Sequence, residues 1–387
     1  MKPVISYLGT HCQKCIKCVK SCPVDAISIV NKQVIIDQDK CINCDICIQA
    51  CDQKILRTRN IDLQTCLEKH DYNIALIPTA ILSDLKTYEE AKNIAQAIKK
   101  FGFDEVVQYS DIEGFLYKQG IEDSKDKHLP MLTSFCPTIN RLIENEYPTL
   151  IDHLLPYDYP VEIAAKRLKK KYNDRDIGIF SLCECVSKLT LAKEPFDNQD
   201  SNIDYAISIS QIFPQINRLK NEEKTEISFN RYGVKSNVSD LYGNRSLSVI
   251  SVEGLTQINT VLDLIEFDQL QHVDLIALFN CFQGCIGGYY LWSNPFEGCF
   301  NIESIFEDCN GPLKALSKDE YTKVHQIDSS NEQNFKERLQ WFNKVNAILE
   351  TLPQFDCGSC GFANCRGLAA RIAKGEVDDS LCRVKKR

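Results

Sequence analysis

Apolar and polar positions change rhythm along the chain. Near the start, Ala26–Val30 and Gln33–Asp37 are short β-like segments that meet at Asn31-Lys32 and predict a hairpin. From about residue 72 the pattern becomes α/β. Compact apolar runs at Asn73–Thr79, Glu105–Gln108, Met131–Ser134 and Gly178–Leu182 predict buried strands. Tyr88–Phe101, Ile139–Glu146 and Val161–Tyr172 between them predict helices. A second set follows, with strands at Tyr205–Ile209, Ser246–Val252 and Val273–Leu278 and a helix at Gln257–Phe267. The polar stretch Glu194–Asn202 reads as the loop between two α/β lobes. Ser329–Asn334 reads as a linker. Phe335, Leu339, Phe342, Val345 and Leu349 then recur at helical spacing, and Arg366–Lys374 predicts a last helix. The expected domains are residues 1–65, 66–330 and 331–387.

Cysteine content changes the picture most. The 387 residues include 20 cysteines, most of them in tight runs. A chain this long buries a core without disulfide staples, so the runs point to metal ligation in an intracellular protein. With 45 Lys+Arg against 53 Asp+Glu the net charge is −8, and the tail Arg383–Arg387 is a short basic block. That balance excludes a nucleic-acid partner. No apolar run reaches the ~18 residues of a membrane span, and Ile74–Leu82 is broken by Pro78. The start, Met1–Ile5, has no signal-peptide core, so the expected location is cytoplasmic. Acidic patches such as Asp123–Asp126 read as solvated faces. No Walker loop, dinucleotide fingerprint, nucleophile elbow or His-Glu-x-x-His helix is present.

Cys12-x2-Cys15-x2-Cys18-x3-Cys22-Pro23 is repeated as Cys41-x2-Cys44-x2-Cys47-x3-Cys51. Zinc is the alternative, but it favours two separated pairs, not three thiols two residues apart. Residues 8–60 resemble the bacterial two-cluster ferredoxins. In such runs three thiolates hold three corners of a cubane and the fourth reaches the other cluster. One [4Fe-4S] cluster then takes Cys12, Cys15, Cys18 and Cys51, and the other takes Cys41, Cys44, Cys47 and Cys22. Asp52 stands where the second run would carry Pro.

The central cysteines sit at predicted strand ends. Cys136 precedes Pro137 and a helix, Cys185 ends a strand, and Cys281-x3-Cys285 enters the Gly287-Gly288 turn. Convergence at the carboxyl edge of a sheet would place four thiols around one further cubane. Around these residues, LPMLTSFCPTINRLIENEYPTL, FSLCECVSK and LFNCFQGCIGG resemble the three signatures of the iron-only ([FeFe]) hydrogenases, over about residues 72–310. The resemblance implies that Cys136, Cys185, Cys281 and Cys285 bind the active-site cubane and that Cys285 bridges to a two-iron subsite. It places the family's cyanide-contacting lysine at Lys188. The departures are specific. The family's proton-delivering thiol falls on Phe135, two methionines fall on Cys183 and Phe279, and prolines fall on Glu184 and Phe282. Cys183, two residues before a predicted ligand, is a candidate proton donor or extra contact. Cys66, Cys299 and Cys309 have no assigned role.

Cys357-Gly-Ser-Cys360-Gly-x3-Cys365-x16-Cys382 closes the chain. Gly358 and Gly361 permit a tight loop that gathers three thiols. The pattern resembles the four-cysteine [4Fe-4S] domain of corrinoid iron–sulfur proteins and electron-transport ferredoxin subunits, with zinc as the alternative. Three readings follow. The first is an anaerobic iron–sulfur protein that transfers electrons or senses redox state, without efficient hydrogen turnover, and works with a redox partner protein. The second is a slow hydrogenase or hydrogen sensor with the two-iron subsite. The third is a reductase of other chemistry at the pocket. The sequence does not assign an oligomeric state.

Overall fold

The computed structural model describes the chain except residues 1–3, 10–11, 32, 126, 128, 220–228, 231, 233–247, 307–312, 314, 324–330 and 386–387. For residues 331–339 only the backbone is described. Cys309, Asp126, Lys386 and Arg387 therefore lie outside the described residues, as do the side chains of Phe335 and Leu339. The chain forms two compact units, one of residues 1–4 and 59–325, the other of residues 5–58 and 326–387.

In the smaller unit, β1 (Ile5–Tyr7) pairs antiparallel with β4 (Leu56–Thr58), bringing the ends of the first cysteine segment together. The expected hairpin is β2 (Ile27–Val30) and β3 (Gln33–Ile36), in register from Ile27–Ile36 to Val30–Gln33. Helices Lys17–Ser21 and Ile46–Gln49 carry the third cysteine of each run, Cys18 and Cys47. The helix Asn331–Glu350 includes residues 331–334, which the polar pattern assigns to a linker. Its Val345 packs with Leu352, Phe362 and Leu368, and Val30 of β2 packs against that cluster. One apolar core thus serves the hairpin and the C-terminal cysteine segment.

The larger unit is α/β with two parallel sheets. The first has the order β6 (Glu105–Gln108), β5 (Tyr72–Ile77), β8 (Ile177–Cys183), β9 (Tyr205–Ser208). The second has the order β10 (Val249–Glu253), β11 (Leu275–Phe279), β7 (Met131–Leu132). Two strands change lobe relative to the order along the chain. Met131–Leu132 leaves the first set to pair with β11, and Tyr205–Ser208 stays beside β8. The stretch Glu194–Asn202 is therefore a loop within the first lobe. Lys193 and Glu194 donate backbone N–H groups to Ile203 and Asp204 (3.0 and 2.9 Å), which fold it back onto the same sheet. The two parallel sheets bury residues such as Ile74, Leu76, Ile179, Leu182, Leu275 and Ile276, as expected when helices cover their faces. Asp123 is exposed, in line with a solvated face, and also accepts a hydrogen bond from the buried Tyr157 hydroxyl at 2.6 Å. Among the described residues no helix is long and apolar enough to cross a membrane.

Candidate functional site

Three strand ends build the central pocket. After β7, Thr133 stays beside β11: its N–H donates to Ile276 O (3.1 Å) and its Oγ1 accepts from Leu278 N–H (2.9 Å). The chain then turns at Cys136, the N-cap of helix Pro137–Glu146. Proline suits that first helical position, where its missing N–H has no intrahelical partner to lose. Asn140 Nδ2 reaches back to Ser134 O (2.7 Å) and Tyr159 Oη (3.0 Å), fixing the turn. After β8, Cys185 caps the short helix Val186–Leu189. After β11, Gln283 (φ 58°) and Gly284 (φ 67°) curl the chain between Cys281 and Cys285. Gln283 N–H donates to Glu253 at the end of β10 (2.7 Å), which holds that curl. Gly288 must be glycine for reasons of space. A Cβ there would lie 2.5 Å from Glu184 O, the oxygen that accepts from Tyr290 N–H at 2.9 Å.

Cys136, Cys185, Cys281 and Cys285 line one cavity, together with Glu113, Glu184, Lys188 and Phe135. Every described cysteine is free of disulfides. Burial pushes the Cys136, Cys185 and Cys285 thiols up, furthest at Cys185 and Cys285. Thiolates here need positive charge beside them, and a bound iron cluster supplies it. Three strand ends thus bring four cysteines to one cavity, although among the described residues no group of three or more Cys, His, Asp or Glu is drawn together tightly enough to hold a single metal ion.

Lys188 is the cation already present. Its Nζ lies 2.6 Å from Glu184 Oε1 and 3.3 Å from Tyr109 Oη, and 5.5 Å from the Tyr109 ring centre. Burial alone would lower its pKa, but Glu184, Tyr109, Cys285 and Glu113 together carry it well above the usual lysine value. Glu113, from helix Ser110–Ser124, is pushed up to about 8 by burial and the Glu184 charge, against the pull of Lys188. Among the described residues neither Glu184 oxygen has a directed hydrogen bond, and Lys188 is the cation beside it.

Phe135 fills the place before Cys136. Its ring packs edge-on to Tyr117 (4.8 Å between centroids, 88°) and parallel to Tyr157 (6.3 Å, 15°). Phe279 joins the same cluster. Cys183 is not among the residues lining the cavity. It ends β8, its Sγ lies 3.4 Å from Ser181 Oγ, and burial pushes its thiol up to about 12. Glu184 enters the cavity in its place. Of the other unassigned thiols, Cys66 is buried in helix Leu63–Leu67, and Cys299 Sγ lies 3.5 Å from Gln283 Oε1.

The two N-terminal runs repeat in backbone as well as in spacing. Lys14, Ile16 and Asp25 have positive φ (52°, 59°, 49°), and so do Asn43, Asp45 and Lys54 (57°, 61°, 50°), at matching offsets from Cys12 and Cys41. Left-handed non-glycine residues are uncommon, so their recurrence marks two copies of one ligand loop. Ala26 N–H donates to Cys22 Sγ at 3.2 Å. Cys51 is raised by burial, but backbone N–H groups of Ile55, Leu56, Gln53 and Lys54 hold it below the usual thiol value overall. Such N–H groups favour a thiolate ligand. Asp52, in place of proline, pairs with Lys17 at 2.5 Å on the surface.

At the C-terminus, Asp356 Oδ1 accepts from Cys365 N–H and Asn364 Oδ1 from Gly367 N–H, both at 2.6 Å, which sets Cys365 at the start of helix Cys365–Ala373. Cys357, Cys360, Lys14, Ile16 and Arg383 line one groove of about 950 Å³. Cys357 is exposed and held below the usual thiol value by hydrogen bonds from Ser359.

Three family models match the chain in separate segments. Residues 75–232 match the iron only hydrogenase large subunit, C-terminal domain; residues 5–52 match a 4Fe-4S dicluster domain; residues 352–384 match a putative Fe-S cluster domain. The core is iron-only hydrogenase-like. A single-residue variant of [FeFe]-hydrogenase HydA1 from Chlamydomonas reinhardtii shares its fold, at TM-score 0.50 and 14% identity over 72% of this chain and 93% of that one. Cys136, Cys185 and Lys188 fall inside the matched hydrogenase segment, and Cys281 and Cys285 lie beyond it. Along the sequence, a 4Fe-4S dicluster segment precedes this hydrogenase-like core and an Fe-S segment follows it.

Two curated relatives share shorter stretches, and each is named as one component of an ion-translocating oxidoreductase complex. That of Thiobacillus denitrificans is 54% identical over 39 residues (10% of this chain, 19% of its own). That of Methanosarcina acetivorans is 42% identical over 58 residues (15% and 22%). The chain thus spans about a fifth of the length of the curated relatives it matches.

Sequence reasoning missed Glu113 and Tyr117, which line the hydrogenase-like pocket, and Tyr109, which backs Lys188. They come from helix Ser110–Ser124 and the residue before it. The one signal in sequence was an acid, Glu113, among apolar residues at helical spacing: Ile112, Leu116 and Tyr117.

Proposed function

We propose that this chain is a cytoplasmic electron-transfer protein whose hydrogenase-like pocket does not turn hydrogen over efficiently. Cys12, Cys15, Cys18 and Cys51 would hold one [4Fe-4S] cluster, and Cys41, Cys44, Cys47 and Cys22 a second. Cys357, Cys360, Cys365 and Cys382 would hold a third, and Cys136, Cys185, Cys281 and Cys285 a fourth. Such clusters supply one-electron chemistry. The chain's own residues ligate, exclude water and set charge: Phe135, Tyr117 and Phe279 close one wall with apolar rings, and Lys188 places a cation against the thiols. The names of the curated relatives support a redox partner protein.

Phe135 is the observation that carries this reading. A general acid needs a titratable group within hydrogen-bond reach of the proton's destination. At this position the chain offers a phenyl ring locked between Tyr117 and Tyr157. The test is an infrared spectrum of the protein produced anaerobically with hydrogenase maturation proteins. The expected spectrum has no carbonyl or cyanide bands. Their presence would overturn the reading in favour of a slow hydrogenase or hydrogen sensor, which the position of Lys188 in the cavity favours. The fourth cluster has its own test. Cys136→Ala should lose iron and sulfide equal to one cubane, and unchanged iron would remove that cluster from the proposal. A separate chemistry built on Cys183 draws no support from the cavity, because Cys183 does not line it.

A further inference from the structure

The C-terminal cysteine loop is fitted to the first ferredoxin run by shape. The carbonyl of Gly361 (φ 91°) accepts from Ile29 N–H of β2 at 2.8 Å, and a Cβ on Gly361 would run into the Ile29 carbonyl oxygen. Gly358 (φ 75°), next to Cys357, faces Ile16, which lies between Cys15 and Cys18; a Cβ there would come within 2.7 Å of Ile16 Cδ1. Lys20 Nζ, on the helix that follows, donates to Ala363 O (2.6 Å) and to Asp356 O, bracketing Cys357 and Cys360. Arg371 Nη2 binds Asp37 Oδ2 at 2.9 Å beyond the loop, with both side chains more than four-fifths buried. These contacts leave a groove whose lining draws Lys14 and Ile16 from the first run and Cys357 and Cys360 from the last. No lining residue comes from the second run, Cys41–Cys51.

Glycine at both close approaches argues for a fitted joint. Both have a left-handed backbone and lie beside a cysteine of the last group; at Gly361 the Ile29 backbone leaves no room for a Cβ, and at Gly358 a Cβ would have to displace the ends of the Ile16 and Lys20 side chains. We infer that the last four-cysteine site and the Cys12–Cys15–Cys18–Cys51 site form an adjacent pair that exchanges electrons directly, bypassing the second run. The inference rests on the reading that both sites hold [4Fe-4S] clusters. The step is a single electron: one site is oxidised by one electron, the other is reduced by one, and no bond or proton moves.

The test is electron paramagnetic resonance on the full chain, prepared anaerobically and reduced with dithionite, alongside iron counts. In the unaltered protein the first-run signal should be split by the spin of the C-terminal site. Cys360→Ser, which removes that site, should abolish this part of the splitting. Gly361→Val should keep the iron and at least halve the splitting, because the loop can no longer seat on β2. If Gly361→Val loses iron, the result is read from Lys20→Met combined with Arg371→Ala, which loosens the joint without entering the loop. Splitting that survives Cys360→Ser, or stays at full size in an iron-replete joint variant, overturns the inference. Carbonyl bands in the infrared spectrum would overturn the proposed function and leave this splitting unchanged, so the two failures are distinguishable.

Discussion

Glu184 and Lys188 show how much one exchange in a shared framework can change. The resemblance places a proline at 184. Here a carboxylate stands there, fully buried, with Lys188 Nζ 2.6 Å away and itself 8% exposed. A buried pair of this kind adds little net stability, because desolvation offsets the attraction, but removing one partner leaves an uncompensated charge. Lys188→Met should therefore destabilise the fold by about 3–5 kcal/mol. Adding Glu184→Gln should recover most of that loss, since the orphaned charge goes with it. Anaerobic urea unfolding checks both variants. Equal stability of Lys188→Met and the unaltered chain would mean that water reaches Glu184. The pair also explains why Lys188 would stay charged without a ligand: the Glu184 carboxyl lies against its Nζ and raises its pKa.

At the scale of elements, the pocket depends on the turn after β11. Gly288→Ala puts a methyl group 2.5 Å from Glu184 O and 3.0 Å from Cys285 O, so one of the two cysteine-bearing strand ends must move. The expected result is loss of iron equal to one cubane, with the iron of both flanking domains retained. Retention of all iron would show that the turn is not what seats Cys285.

The same scale shows what the sequence reveals and what it hides. Strands β5, β6, β8 and β11 were legible because strands buried in parallel sheets are short continuous apolar runs. Their cysteines were legible because spacing reports ligation directly. Helix Ser110–Ser124 was not legible. It carries Gly114 and Gly120, both poor helix formers, at sites where a Cβ would come within 2.8 Å of Tyr232 and 2.7 Å of Leu155. Close packing chose those glycines, and only the folded neighbours reveal it. Helix Ile209–Leu219 was hidden by its internal Pro214. The pocket's acid, Glu113, was missed along with the helix that carries it. Lobe membership of Met131–Leu132 and Tyr205–Ser208 was hidden as well, because parallel pairing joins strands far apart in the chain.

At the scale of the molecule, the smaller unit is assembled from both ends of the sequence. Residues 5–58 fold with residues 326–387, and the hydrogenase-like core is a large insertion between them. A segment of some fifty residues with two cysteine runs is below the size at which an apolar core alone is secure. The C-terminal segment supplies what is missing: Phe362, Leu368 and Val345 extend the core that Val30 meets. Ile29 and Gly361 add a backbone hydrogen bond, and Arg371 adds a charged one to Asp37. At about 0.5–1.5 kcal/mol for the first and 1.5–3 for the second, the two bonds together contribute roughly 2–4.5 kcal/mol. A chain ending at residue 330 should therefore lose its ferredoxin-type clusters faster. With about 1.4 kcal/mol per factor of ten in the opening equilibrium, removal of iron by a chelator should accelerate at least tenfold. The measurement is the decay of visible absorbance under anaerobic chelation, compared with Arg371→Ala in the full chain. That variant removes the bond to Asp37, together with the Arg371–Glu376 pair inside the C-terminal segment, and should fall between the two. If the shortened chain bleaches at the unaltered rate, the N-terminal runs are self-sufficient, and the shared core is an association rather than a support.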